Sequence, residues 1–238
     1  MDSNRKPTFD ARDENFGYVC HRCLKCCHNK RIQLNPYEVA RLARHCGLTT
    51  SAFRAAWTED GAGLILGQTA NGACVFLGSA GCTVHPDRPL ACRLYPLGRH
   101  VRGNGAESFC HIEPHPQSYG EFTRTGTIRE FLAAQAAGDF IQAADAYFLW
   151  LCAAHDGLHD ASERDAATSC PEDTDLSSSL ACDLLDMDNA IAVYCTATGV
   201  AEPADMEARK ELHLAILYQH LEKATGVRHE RPETNPSK

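Results

Sequence analysis

Apolar residues return every three or four positions through six stretches of the chain, and between them the pattern breaks into short alternations and glycine-rich turns. The first helical stretch opens at Asn35-Pro36-Tyr37-Glu38, where Asn caps, Pro takes the first helical position and Glu completes a capping box. It carries Val39, Ala40, Leu42 and Ala43 and stops at Gly47. Thr49 or Thr50 opens a second helix through Phe53 and Trp57. Thr127-Ile-Arg-Glu130 is another capping box, for a helix reaching Ala137 and stopping at Gly138. Three more follow: Asp139 to about His155, Leu176 to Thr198 before Gly199, and Pro203 to about Ala224 before Gly226.

The rest is less regular. Arg31-Ile-Gln-Leu34 alternates like a short strand. Cys74-Val-Phe-Leu77 and Cys82-Thr-Val-His85, joined by Gly78-Ser-Ala-Gly81, read as a small hairpin with a cysteine at the start of each strand. Leu90-Ala-Cys92-Arg93 is one helical turn ended by Pro96. Residues 98–118 read as loop, 156–176 as an acidic Ser/Thr-rich loop, and 1–17 and 229–238 as flexible tails.

Charge divides the chain where the pattern does. Residues 1–130 hold sixteen Lys and Arg against twelve Asp and Glu, a difference of +4, and residues 131–238 hold seven against nineteen, a difference of −12. Much of that acidic excess lies between Asp156 and Asp188, where Arg164 is the lone basic side chain. A difference of +4 is too small to argue for nucleic acid. No apolar run is long enough to span a membrane, and the N-terminus lacks the apolar core of a secretory signal, so a reducing bacterial cytoplasm is the expected compartment.

In that compartment thirteen cysteines read as metal ligands and buried thiols rather than disulfides. Four lie within eight residues, Cys20, Cys23, Cys26 and Cys27, and Cys74, Cys82, Cys92 and Cys110 follow. Soft thiolates select zinc or an iron–sulfur cluster over hard cations. Arg22, Lys25, Arg88 and Arg93 stand close enough in sequence to lower a thiol pKa, and Arg88 and Arg93 are candidates for binding an anionic ligand or cofactor.

Familiar spacings fail. A ferredoxin run would need a cysteine and then a proline where Lys30 and Arg31 stand; haem attachment would need a cysteine in place of Leu24; a zinc ribbon lacks its second knuckle. Adjacent side chains point apart, so Cys26 and Cys27 either serve two centres or leave one outside the ligand set. His21, His28, His85 and His111 could each replace a cysteine, although exposed or supporting roles are commoner. His155 with His159, and Asp183, Asp186 and Asp188, could hold a second ion, against the plainer reading of helix-end and solvated residues. Cys46, Cys152, Cys182 and Cys195 read as core, and Cys170 as incidental.

The run Cys20-x-x-Cys23-x-x-Cys26-Cys27, followed by Cys74-Val-Phe-Leu77, Gly81-Cys82-Thr-Val-His85 and Arg88-Pro89-x-x-Cys92-Arg93-x-Tyr95-Pro96, resembles the CxxCxxCC family of zinc- or iron-chelating proteins, also called YkgJ-type. The resemblance spans about 18–112. It implies a bacterial cytosolic metal-binding protein whose eight matching cysteines are Cys20, Cys23, Cys26, Cys27, Cys74, Cys82, Cys92 and Cys110. A related cluster in flagellin lysine N-methylases keeps a protein-modifying enzyme among the alternatives.

The expected fold is α+β: a small irregular metal-organised module at 18–117 packed on a mainly helical region at 118–228. The favoured function is an iron–sulfur protein that handles or senses electrons, with the acidic helical half docking an unidentified protein partner. The alternative is a structural zinc module.

Overall fold

The computed structural model describes residues 8–9, 11–59, 63–166 and 183–228. Capping opens the helices after Asn35, Thr49 and Thr127 where the sequence puts their starts, whereas the last two open at Met187 and Met206 rather than at Leu176 and Pro203. Asn35 accepts from the Glu38 amide at 3.0 Å while the Glu38 carboxylate accepts from the Asn35 amide at 2.9 Å, opening α1 (Pro36–His45). Thr49 caps α2 (Thr50–Trp57). The reciprocal Thr127–Glu130 box opens α4 (Ile128–Ala134), which runs into the long α5 (Gly138–Ala166). Asp186 and Asp205 cap α6 (Met187–Thr198) and α7 (Met206–Thr225), each closed by a left-handed glycine, Gly199 and Gly226. Between α2 and α4 lies α3 (Leu90–Leu94). Among the described residues no helix is long and apolar enough to cross a membrane.

Three small antiparallel sheets complete an α+β fold. β1 (Thr8–Phe9), β6 (Glu107–His111) and β5 (Leu97–Val101) form one, in the order β1-β6-β5. β2 (Asn15–Val19) pairs with β7 (Glu121–Thr127), and β3 (Leu77–Gly78) with β4 (Gly81–Cys82). The first two sheets correct the sequence reading. Residues expected as a loose tail supply β1 and β2, because Phe16 is buried against Phe131 and Phe122 edge-to-face. Residues 98–118, expected as loop, hold the β5–β6 hairpin. Its mostly polar strands hid it, and Gly105 at φ +77° makes its turn.

Three apolar clusters hold these elements. Tyr37 and Ala40 of α1 pack with Phe140, Tyr147, Ile191 and Leu217 of the helical region. Phe16, Leu97 and Phe109 pack with Ile128, Leu132 and Ile141. Leu34, Leu42, Phe53, Phe76 and Val84 form the third, within the cysteine-bearing half. The expected join at 117/118 is therefore crossed by two of the three cores and by the β2–β7 pairing. Residues 1–7, 10 and 229–238 of the expected tails, 167–175 of the expected loop with Cys170, and 176–182 of the expected Leu176–Thr198 helix with Cys182 lie outside the described residues.

Candidate metal centre

Residues 20–29 form a loop that apolar burial does not hold: no residue from Tyr18 to Gln33 is buried. Its backbone is unusual. Among the described residues four non-glycines have positive φ, and three stand here: Arg22 at 52°, Leu24 at 62° and Asn29 at 53°. Each such residue costs on the order of 1–3 kcal/mol and persists where surrounding contacts or a function demand it. Leu24 leads into a 3-10 turn at Lys25–Cys27, closed by the Cys27 amide donating to the Leu24 carbonyl at 3.1 Å. That tight turn brings the Cys26 and Cys27 sulfurs to 4.0 Å, so the adjacent thiols do not point apart.

The loop is tied to the hairpin stretch through its backbone. The Cys74 amide donates to the Cys27 carbonyl and the Asn29 amide to the Gly72 carbonyl, both at 2.8 Å. Cys74 and Cys82 pack on the third core, which fixes the floor of the site. The pairing strands are only two residues long: Cys82 faces Leu77, and Cys74 lies ahead of the pairing. Cys92 comes from α3, whose first amide, Leu90, donates to the Glu38 carboxylate at 2.6 Å. The acid that closes the α1 capping box thus also seats the Cys92 helix. Glu38 is fully buried, which pushes its carboxyl up to about 7 against the pull of the Leu90 and Asn35 amides and the Arg93 charge.

Electrostatics ties these stretches into one group. The Cys26 thiol is lowered to about 7, chiefly because Cys27 donates to it; the same bond, then burial, then charge on Cys26, Cys92 and Cys82, pushes Cys27 up. The pairing thus favours thiolate on Cys26 over thiolate on Cys27. Cys92 opens to solvent but sits in a crowded recess, and crowding first, then the charges of Cys74 and Cys82, raises its thiol. Burial raises Cys74 and Cys82. Cys23 goes the other way: burial is outweighed by the Lys25 and Tyr119 amides and the Ser118 hydroxyl. Arg88 stands among the sulfurs. Burial draws its pKa down, while charge on Cys92, Cys82 and Cys20 works against that. It is anchored on the His85 carbonyl at 2.8 Å and the Gln135 side chain at 2.8 Å.

Seven of the expected cysteines lie on the loop, the hairpin stretch and α3: Cys20, Cys23, Cys26, Cys27, Cys74, Cys82 and Cys92. Cys110 differs. It projects from β6 beside Gly98, with its sulfur 3.4 Å from His100 Nε2. Arg93 also departs from its expected role. It is 3% exposed, lies 3.8 Å over the Phe140 ring, and donates to the carbonyls of Gln135 and Pro86. Two of its donors thus bracket α3 to the α4–α5 junction, while its buried Nε has no partner. Periodicity could not reveal this, because the partners are backbone carbonyls distant in sequence.

The histidines and acids also find places. His111 lies in an aromatic box, stacked on Phe122 at 4.1 Å, and His28 Nδ1 faces the Leu24 carbonyl at 3.3 Å. His85 faces Arg88, and His155 pairs with Asp156 on an exposed surface. The side chain of His159 lies outside the described residues. Asp186 and Asp188 are engaged in protein contacts: Asp186 is buried, accepts from the Thr50 hydroxyl and pairs with Arg54, while the partly exposed Asp188 pairs with Arg209. Of the cysteines read as core, Cys195 is buried, and Cys46 and Cys152 are partly so.

The family model of the CxxCxxCC domain, described as a putative zinc- or iron-chelating domain, matches residues 19–111. Over this segment the chain is similar to the CxxCxxCC domain. The match starts at the end of β2 and finishes at the end of β6, so it takes in all eight expected cysteines and fewer than half of the chain's 238 residues. No curated protein and no solved structure matches the chain.

The donor chemistry of the CxxCxxCC domain suits a soft metal, and its positive-φ loop suits a site whose strain a bound group would offset. The sulfurs are gathered but not closed: among the described residues no three His, Cys, Asp or Glu side chains already stand as one ion's ligand set. Ligation would need side-chain rotation in the loop, which its lack of buried residues permits.

Proposed function

We propose that the CxxCxxCC domain holds an iron–sulfur cluster for electron transfer or redox sensing. The observation that carries this reading is that thiols from three separate stretches feel one another's charge, Cys26 and Cys27 with Cys82 and Cys92 and Cys74 with Cys92, while Cys20, Cys82 and Cys92 act on the Arg88 guanidinium. Cys20, Cys23, Cys26 and Cys27 would hold the group from the loop, Cys74 and Cys82 from the hairpin stretch, and Cys92 from α3. When bound, the cluster supplies one-electron chemistry.

The remaining residues prepare the sulfurs. Cys26 keeps thiolate character through the bond from Cys27, and Cys23 through the Lys25 and Tyr119 amides and Ser118. Arg88 balances negative charge among Cys20, Cys82 and Cys92, a group of the kind that tunes a thiolate centre. An acidic docking surface for a protein partner belongs to the same proposal, although residues 167–182 of the acidic stretch lie outside the described residues.

Structural zinc is the second reading. A loop without buried residues favours it, because zinc binding free energy becomes folding free energy in such segments. Iron, sulfide and zinc analysis of anaerobically purified full-length protein separates the two. Brown protein with matching iron and inorganic sulfide supports the cluster. Colourless protein with stoichiometric zinc overturns it in favour of zinc, and protein without metal after growth in metal-replete medium overturns both.

A further inference from the structure

Positive charge collects on the cysteine loop with no acid to meet it. The sequence has no Asp or Glu from residue 15 to 37, where Arg22, Lys25, Lys30 and Arg31 stand, and a single one, Asp87, from 61 to 106. Asp87 is already held by Arg41 at 2.7 Å and His45 at 2.9 Å. Elsewhere arginines meet carboxylates: Arg12 with Glu107, Arg54 with Asp186, Arg99 with Asp145 and Arg209 with Asp188. Among the described residues none of Arg22, Lys25, Lys30 and Arg31 forms an ion pair.

The fold sets these charges beside the sulfurs and leaves them open. Arg22 and Arg31 are exposed, and so are Cys20, Cys26 and Cys92. The Lys30 charge acts on Cys26, and the charges of Arg22 and Arg88 act together on His85. Exposed apolar side chains adjoin them. Val19, immediately before Cys20, is 47% exposed, and Tyr119, whose amide donates to the Cys23 sulfur, is 71% exposed. Glu121, opposite Val19 in the β2–β7 pair, bounds the face on that side. Cations around an exposed aromatic make a recognition surface: the charges steer an oppositely charged partner, and the ring supplies contact energy.

We infer that this face docks a protein surface rich in Asp and Glu, with an apolar spot to receive Tyr119. The inference rests on the metal reading of the loop: a partner that serves the centre must reach Cys20, Cys26 and Cys92, which the acidic helical region does not carry. A nucleic acid fits less well. Four cations on a chain of net charge −8 would neutralise few phosphates and repel the rest. A folded protein can present carboxylates to this face alone.

The probe is a Glu-rich peptide with one central Phe, titrated onto anaerobically purified full-length holoprotein at low ionic strength. Saturable binding that added salt weakens is expected. Carbodiimide should then join peptide carboxylates to the amines of Lys25 and Lys30, read by peptide mapping, and spare Lys223, which is exposed on α7. Arg22→Glu combined with Arg31→Glu should weaken binding about tenfold or more with metal content unchanged, whereas Lys223→Glu should leave it as it was. The cross-link map of the wild type stands whether or not the double variant keeps its metal. Tyr119→Ala should weaken this peptide about fivefold and leave a peptide without the Phe unaffected. Absence of saturable binding, cross-linking that spares Lys25 and Lys30, or unchanged affinity in the double variant or in Tyr119→Ala overturns the inference. So does tighter binding of duplex DNA or of phosphatidylserine vesicles than of the peptide. Metal analysis of the same preparation keeps the failures apart. Holoprotein that ignores the peptide overturns the docking face alone; metal-free protein overturns the metal reading and this inference with it.

Discussion

The cysteine loop and the helical region solve the problem of order in opposite ways. In α5, α6 and α7 order comes from burial: Tyr147, Ile191 and Leu217 sit in one apolar cluster, and capped ends satisfy the exposed amides. From Tyr18 to Gln33 nothing is buried, and three side-chain-bearing residues hold a backbone conformation that glycine would accept more readily. The lesson concerns where free energy enters. The helical region is stable by virtue of its sequence pattern, whereas the loop is held by backbone bonds to residues 72–74, by the Cys23–Ser118 contact and, in our proposal, by a bound group.

Removing that group should produce the largest effect. Chelation of the anaerobic holoprotein should melt residues 20–33 first and leave the α5–α7 amides protected. Hydrogen exchange followed by mass spectrometry reads both, and equal loss of protection in the two regions would break the contrast. Cys82→Ser or Cys92→Ser should cut bound metal to half or less by elemental analysis.

Next comes the bracket between the regions. Arg93→Met leaves the Gln135 and Pro86 carbonyls unpaired and deprives Glu38 of a nearby charge. It should cost about 3–5 kcal/mol in urea unfolding. A cost under about 1 kcal/mol would mean that the two halves do not depend on this arginine.

Leu217→Ala probes the helical core alone. Leu217 is fully buried, so the change should cost about 2–5 kcal/mol with metal content unchanged. Loss of metal in this variant would show that the helical core and the cysteine loop depend on one another.

The pH dependence of stability should expose two buried groups that oppose one another. Burial holds His213 at about 4, below the ordinary 6.5, despite its bond to the Leu184 carbonyl. Between those values the unfolded chain binds the extra proton, so this contribution is present above pH 6.5 and lost as pH falls toward 4. Glu38, raised from 4.5 to about 7, works in reverse: its contribution is present below pH 4.5 and lost as pH rises through 7. Each amounts to roughly 3 kcal/mol, and they nearly cancel. Glu38→Gln should therefore unmask a stability that climbs between pH 4 and 6.5; a flat profile in that variant would remove His213 from the account. The smallest effect belongs to Cys110→Ser, whose metal content should match the wild type because its sulfur faces His100.

The legible parts of this protein were those whose cause is local in sequence. Asn35 with Glu38, and Thr127 with Glu130, announce α1 and α4 because a capping box needs only four consecutive residues. The cysteine spacing identified the CxxCxxCC domain for the same reason. β1 and β2 went unread because their partners stand a hundred or more positions away, and the β5–β6 hairpin because its mostly polar strands carry no apolar alternation.

The order of residues alone supplies the inventory: the capped helices, the apolar stripes and a set of soft ligands next to basic residues. Tertiary structure selected which of these meet. It set the Cys26 and Cys27 sulfurs 4.0 Å apart through a tight turn, laid Arg93 over the Phe140 ring, and placed Cys110 beside His100. It also used one acid, Glu38, to start α1 and seat the helix that carries Cys92. The cause is the same each time. A hydrogen bond or a ring contact depends on distance in space, and the order of residues along the chain fixes that distance only within a few positions.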